Sequence, residues 1–519
     1  MMDPVTVEVV RGGLTYVSEE MGVALRRSAY SPNIKERLDF SCAVFDRDRR
    51  LLAQAEHIPV HLGSLPIALR NGLDHFGRGL REGDALILND PYISGTHLPD
   101  VTLIAPIHRD GELLGYVANK AHHSDMGGIS PGSLSIEATE LQQEGLVIPP
   151  VLLVEEGEVS IPVIEMIKAN VRTPALRMGD LRAQLSALHT GIKGVRELAE
   201  RVGEKGYLGS LDPMIAASEA RMRAVISTIP DGHGSAEDLI ESPDGRKIAL
   251  RVRVEVKGSD ITFDYEGTDP QVRCPLNAPY GVTLAGVMYS VLSLTDPTIP
   301  MNEGCFIPLS VRVPKGSMLD PIRPAPVAGG NVETSQRNVD LILAAFDALL
   351  PGRVPAQSQG TMNNVCVGGW HEGRQWSFYE TIGGGAGASF GKDGESAVQV
   401  NMTNTMNTPL EAMEAEFPIR FLRYSIRDGS GGTGKWRGGD GIERSWKLLA
   451  DSATLSLMGE RQVLAPKGIH GGMDGSPGEY LILKPTGDIL RLPSKCTVEM
   501  VKDDVLVIRT PGGGGYGAP

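Results

Sequence analysis

The sequence predicts an α+β chain, mixed and multi-domain, with β-hairpins beside helices and a β-rich, glycine-rich C-terminal part. Three observations carry this. Apolar residues recur at helical spacing in some stretches and alternate in others. Asp110-Gly111 separates two apolar runs, a strong hairpin signal. Glycine is abundant, at 63 residues against 5% aromatics, so tight turns must be frequent. A length of 519 residues suggests roughly three domains. Weak composition shifts divide the chain into 1–205, 206–415 and 416–519.

The elements follow in order. Residues 5–30 carry apolar side chains at Val7, Val10, Leu14, Val17, Met21 and Leu25, the period of a helix. Arg26 and Arg27 near its end suit the helix dipole. "DFSCAVFDRDRRLLAQAEH" predicts two short strands joined at Asp46–Arg49, and "LGSLPIALRNGLDHF" a helix. Strands are expected at 84–88, 101–107 and 113–121, and helices at 174–203 and 210–228. From about 235 the chain alternates, with a turn at Gly258-Ser259. "APYGVTLAGVMYSVLSL" and "NVDLILAAFDAL" are helical, and short strands follow 419.

The bulk properties exclude several classes. A balance of 41% hydrophobic and 22% charged residues is that of a globular protein. The formal net charge of −14 argues against non-specific nucleic-acid or anionic-membrane binding, since both need basic surfaces. Cys42, Cys274, Cys305, Cys366 and Cys496 are dispersed, which fits a reducing compartment. No signal peptide or membrane-length apolar run is visible, so a cytoplasmic location is expected.

Of the 11 histidines, seven fall between His57 and His123. If Asp110-Gly111 closes a two-residue hairpin, opposed residues have numbers summing to about 221. Asp100 then faces Ala121, and Pro99 faces His122. That brings "GTHLPD" and "AHHSD" to one sheet edge, gathering His97, Asp100 and one of His122 or His123. Consecutive strand residues point to opposite faces, so at most one of the two histidines joins unless the strand has ended. Centring the earlier turn on 46–49 pairs residues summing to about 95, with Asp39 opposite Glu56 beside His57. His57 and His61 would pair on a helix, but Pro59 argues against one there. Two histidines with one or two carboxylates suit Zn²⁺, Mn²⁺ or Fe²⁺. A polar network at a sheet edge is the alternative, and spacing alone leaves both open.

Other motifs fail. "GISPG" matches a nucleophile elbow in letters, but Pro131 lacks the N–H required after the serine. No H-E-x-x-H or GxxxxGK[ST] occurs. The glycine runs at 383–387 and 512–517 are expected to be turns or close packing rather than phosphate cradles. The Asn/Thr-rich stretches at 330–338, 360–364 and 401–418 are expected mostly to cap helices and bracket turns.

Several stretches, taken in order, resemble the hydantoinase B/oxoprolinase family. They are "ERLDFSCAVFD", "HIPVHLGS", "NDPYISGTHLPDVTLIAPI", "NKAHHSDMGG" and "ANVRTPALRMGDLRAQ". "LNAPYGVT", "GNVETSQRN", "TNTMNTPLEAMEAEFPIR", "GKWRGGDGIER" and "TPGGGGYG" continue the match. The resemblance implies a divalent metal, Zn²⁺ or Mn²⁺, held by Asp39, His97, Asp100 and His122. It implies that the two hairpin ends meet. It further implies an A-type partner subunit that binds ATP, which this chain does not, and hence a hetero-oligomer.

The expected reaction is hydrolytic opening of a cyclic amide (a hydantoin, 5-oxoproline or a lactam) after the partner phosphorylates its carbonyl oxygen. Asp100 would serve as ligand or as the base that orients water. His123 and Asp125 would support catalysis from beside the ligands, or Asp125 would cap the turn before Gly127. Glu56 and His57 would support Asp39. The alternative is a subunit of an acetone- or acetophenone-type ATP-dependent carboxylase.

Overall fold

A computed structural model describes residues 3–55 and 58–519. Helix α1 (Pro4–Ser28) starts where the sequence favours it: the Asp3 carboxylate accepts from the N–H groups of Val5 and Thr6, and Pro4 occupies the first turn. A short helix α2 (Pro32–Lys35) leads into β1 (Phe40–Asp46) and β2 (Leu51–Gln54). Then come α3 (His61–Phe76), β3 (Ala85–Leu88), α4 (Pro91–Ser94), β4 (Asp100–Arg109), β5 (Glu112–His122), β6 (Val151–Glu155) and β7 (Glu158–Val159). These strands form one seven-stranded sheet in the order β2-β1-β5-β4-β3-β6-β7, antiparallel throughout.

The sheet is covered on both faces. Helix α5 (Ile161–Asn170) leads to the long α6 (Pro174–Val202) and α7 (Glu204–Ile226). Val10, Leu14, Val17, Met21 and Leu25 of α1 share a core with Leu181, Leu188 and Val195 of α6 and with Phe40, Cys42, Val101, Leu103 and Ala121 of the sheet. On the opposite face, Leu65, Leu69 and Leu73 of α3 pack on Ala43, Phe45, Ile104 and Ala118. Adjacent strand residues thus serve different cores, as a period of two requires.

Both early hairpins form, with registers that differ from the counting expectation. Asp110 (φ 50°) and Gly111 (φ 85°) make the two-residue turn with positive φ at both positions. Arg109 then pairs with Glu112, and His108 with Leu113, as counted. A β-bulge follows, so Ile107 pairs with Gly115 and every later pair moves by one residue. Asp100 therefore stands opposite His122 rather than Ala121. In the first hairpin Phe45 pairs with Leu51, one residue off the count, and past an irregularity Ala43 pairs with Gln54, two residues off. The expected placements of Glu56 and His57 lie outside the described residues.

Three further sheets follow. Strands β8 (Gly232–Glu241), β9 (Lys247–Lys257), β10 (Asp260–Asp264) and β11 (Leu309–Arg312) form the second. It packs with α8 (Tyr280–Leu294) and α9 (Ser335–Phe346) around Val254, Phe263, Val287 and Ile342. β12 (Asn364–His371), β13 (Arg374–Glu380), β16 (Ser452–Met458) and β19 (Lys495–Val501) form the third. Between them, α10 (Leu410–Glu416) precedes the fourth sheet, made of β14 (Ile419–Arg427), β15 (Gly441–Leu448), β17 (Glu479–Leu483), β18 (Ile489–Leu492) and β20 (Val505–Arg509). The glycine runs pack closely, as expected: Gly513 donates its N–H to Gly439 O, and a Cβ on it would lie 2.0 Å from Ala386 O.

Candidate metal centre

The register places three side chains in one row across three strands. Asp39, just before β1, accepts a backbone hydrogen bond from His122 N, and His122 pairs directly with Asp100. Directly opposed residues on antiparallel strands project to the same face. That face is covered by α3, whose first residue is His61. His97 enters from the turn between α4 and β4.

The distances are those of a donor set. His97 Nε2, His122 Nδ1 and Asp100 Oδ1 lie 3.2 Å from one another in all three pairs. Asp39 Oδ2 lies 3.9 Å from His122 Nδ1. His61 Nε2 lies 3.5 Å from Asp100 Oδ2. All five residues are buried. A tetrahedral cation bound at about 2.0–2.1 Å separates its ligand atoms by roughly 3.3 Å. The His97–Asp100–His122 triangle fits that spacing. His122 Nε2, His61 Nε2 and Asp100 Oδ2 are buried without hydrogen-bond partners. Such orphaned polar groups are costly unless a ligand or water completes them.

Neighbours fix how the donors point. His97 Nδ1 lies 3.3 Å from Ala328 O, which only accepts, so Nδ1 carries the proton and the Nε2 lone pair faces the cluster. Glu144 in turn holds the Ala328 turn: its Oε1 accepts from Val327 N and Ala328 N, each at 2.8 Å. His61 Nδ1 contacts Ser41 Oγ at 3.0 Å. The His122 ring stacks on Tyr379, with centroids 4.6 Å apart and planes 12° apart. The buried Arg37 guanidinium covers Tyr379 at 5.0 Å and bonds Asn33, Thr381 and Thr405. Asn33 also donates to His122 O and Asp39 Oδ2.

One row further along the same face, the Lys120 ammonium contacts Ser64 Oγ, Ser94 O and Thr96 Oγ1 at 2.9–3.1 Å. It thereby ties β5 to α3 and to the turn carrying His97. Burial pushes Lys120 down to about 7, against the pull of Asp100. Burial also lowers His122. Burial alone would raise Asp100, but the facing imidazoles of His97, His122 and His61 hold it well below the usual carboxylate range. Burial raises Glu144 to about 8, against its two backbone donors.

The remaining sequence candidates sit elsewhere. His123 turns to the α6 face, where its Nε2 lies 2.9 Å from Gln184 Oε1, and burial lowers it to about 4. Asp125 accepts from the N–H groups of Gly127, Gly132 and Arg172 and from the Arg172 guanidinium, so it ties the turn after β5. Four participants were not singled out from the sequence: Tyr379, Arg37, Lys120 and Glu144. Residues 58–60 form a turn rather than a helix, as Pro59 suggests, and His61 instead opens α3 and joins the cluster beside Asp100. The Asn/Thr-rich stretches also depart from their expected capping role. Thr403 and Thr405 join the buried group around Arg37, and 330–334 forms a π-helical turn. Among the described residues, His97, Asp100 and His122 form the only group of three or more arranged to hold a metal ion.

Known proteins share this architecture. An uncharacterized protein of Methanocaldococcus jannaschii is 46% identical over 100% of this chain and 91% of its own. The 5-oxoprolinase of Dictyostelium discoideum is 36% identical over 99% of this chain, which spans only 40% of that protein. The crystal structure of ATP-dependent caprolactamase from Pseudomonas jessenii superposes with a TM-score of 0.94 at 28% identity, covering 100% of this chain and 92% of that one. No helix among the described residues is long and apolar enough to cross a membrane. The sequence profile of the hydantoinase B/oxoprolinase family matches residues 3–519, nearly the whole of the sequence, and the chain belongs to that family.

Proposed function

We propose that this chain is the catalytic, metal-holding B subunit of an ATP-dependent cyclic amide hydrolase. The observation that carries this is the buried triangle of His97 Nε2, Asp100 Oδ1 and His122 Nδ1, with 3.2 Å sides. Those residues, with Asp39 as the fourth, would hold Zn²⁺ or Mn²⁺. When bound, such an ion lowers the pKa of water toward neutrality and polarises carbonyl oxygens.

The chain's own groups do the rest. Ala328 O keeps the His97 proton on Nδ1, away from the cluster. Asp100 divides its carboxylate: Oδ1 faces the two imidazoles, while Oδ2 faces His61 Nε2. Oδ2 and His61 Nε2 can therefore take up the proton that an attacking water loses. Asp125 and His123 act at one remove, fixing the chain as it leaves β5.

Unactivated amides resist water, and the similar caprolactamase is described as ATP-dependent. The substrate carbonyl would be phosphorylated on an A-type partner, then opened here. The similar 5-oxoprolinase is more than twice as long as this chain, which leaves room there for the ATP-binding part. A cytoplasmic hetero-oligomer follows.

The test is ATP consumption and ring opening by the co-expressed pair, offered hydantoin, 5-oxoproline, caprolactam and acetone. Turnover of a cyclic amide that needs both subunits is expected. Bicarbonate-dependent consumption of acetone alone would replace this reading with the carboxylase one. Lactam hydrolysis by this chain without a partner would refute the division of labour.

A further inference from the structure

The two imidazoles of the cluster are held in different ways. His97 is oriented through its second nitrogen, by Ala328 O. His122 has no such bond, because its Nε2 is buried without a hydrogen-bond partner. A metal-bound histidine almost always has its other nitrogen hydrogen-bonded, which fixes the ring. Outside the cluster, the flat contact with Tyr379 is what holds the His122 plane, with centroids 4.6 Å apart and planes 12° apart.

Tyr379 is in turn pinned at its far end. It pairs with Cys366 across β12 and β13, and Asn364, two residues before Cys366, projects to the same face. The Tyr379 hydroxyl donates to Asn364 Oδ1 at 2.9 Å. The amide cannot be turned round. Its Nδ2 donates to Met458 O and to Glu333 Oε1, each at 2.8 Å, and a backbone carbonyl only accepts. Glu333 Oε1 also accepts from Met362 N at 3.1 Å. Tyr379, Asn364 and Glu333 are all buried, where a missing bond is costly. The polarity therefore runs one way, from phenol through amide to carboxyl.

Glu333 lies in the π-helical turn Gly330–Thr334, shortly after Ala328. Such turns are rare and are frequent at functional sites. One segment thus reaches His97 through Ala328 O, and His122 through Glu333, Asn364 and Tyr379.

We propose that Glu333 is a positioning residue for His122, acting through Asn364 and Tyr379. The inference rests on the reading of His122 as a metal ligand.

Zn²⁺ titration of the purified full chain tests it, with the visible spectrum of the Co²⁺-loaded chain as a second readout. Glu333→Ala is expected to lower Zn²⁺ affinity about 10-fold, the low end for groups that orient a ligand. It should also shift the Co²⁺ bands, which follow the directions of the donor atoms. Glu333→Gln keeps an acceptor oxygen for Asn364 and is expected to restore both. Tyr379→Phe keeps the ring, cuts the chain at its first link and is expected to lower affinity as much. Glu333→Ala added to Tyr379→Phe should then lower affinity no further, since both act along one chain. Lower thermal stability with native affinity and native Co²⁺ bands in Glu333→Ala would overturn the proposal. So would additive losses in the double variant. Should Glu333→Ala fail to fold, native affinity and bands in Tyr379→Phe would be equally decisive against it. A native chain that binds no Zn²⁺ would remove the metal reading and this inference with it, whereas native binding with unmoved variants would remove the inference alone.

Discussion

Asp100 and His122 face each other across the β4–β5 ladder, with Oδ1 3.2 Å from Nδ1, because one extra residue bulges from the hairpin that joins them. Without the bulge, Ala121 would stand in that place and His122 would point at the other core.

The ligand assignment makes the first prediction. His122→Ala removes one corner of the triangle and is expected to lower metal affinity at least about 100-fold, beyond the usual effect of a supporting residue. Elemental analysis after dialysis reads this directly. Full metal content in the variant would exclude His122 as a ligand.

Glu144 predicts a graded effect. Glu144→Ala leaves the N–H groups of Val327 and Ala328 unpaired and frees the carbonyl that orients His97. A loss of about 1–3 kcal/mol in stability follows, with metal affinity reduced about 10-fold. Glu144→Gln keeps an acceptor oxygen there and is expected to restore most of both. Equal damage from the two variants would show that the carbonyl contact is not what matters.

Two buried carboxyls set a pH dependence. Burial raises Glu144 to about 8, and burial with the nearby Glu460 charge raises Glu333 to about 8, both from the ordinary glutamate value of 4.5. In that window the folded chain holds more protons than the unfolded one, so stability falls as pH rises. Below 4.5 both states are protonated and the contribution is complete. Urea midpoints between pH 5 and 8 should decline, and Glu144→Gln or Glu333→Gln should each flatten the decline. A slope unchanged in both variants would contradict the burial argument.

The glycine packing yields the last prediction. Gly513→Ala places a methyl 2.0 Å from Ala386 O, so backbone must move. A cost of about 1–3 kcal/mol is expected, read as a lowered thermal midpoint with metal content intact. An unchanged midpoint would mean that the packing yields freely.

Much of this was legible in the residues. Helical spacing marked α1, α3 and α6, and Asp110-Gly111 marked the hairpin that carries Asp100 and His122. The bulge was not legible, because β4 and β5 are buried on both faces and their apolar runs carry little alternation to fix a register. Pro59 rightly signalled that no helix runs through 58–60, but no local period links His61 to Asp100, which it meets only in the fold. Tyr379 and Ala328 lie more than 200 residues from the histidines they hold, and no local period links such positions. Lys120 sat two residues from His122 in plain view. A lysine within a strand ordinarily signals a solvated face, and only the burial of that face shows otherwise.

Asp39, His122 and Asp100 hang from neighbouring strands, whose spacing of about 4.8 Å is fixed by backbone hydrogen bonds. The sheet therefore works as a ruler. Widening this cage means prising strands apart rather than turning a rotamer, so its gauge is a property of the fold. A gauge of this kind discriminates by size and coordination number. It suits a small ion content with four ligands and disfavours calcium, which seeks about six to eight oxygens at greater length.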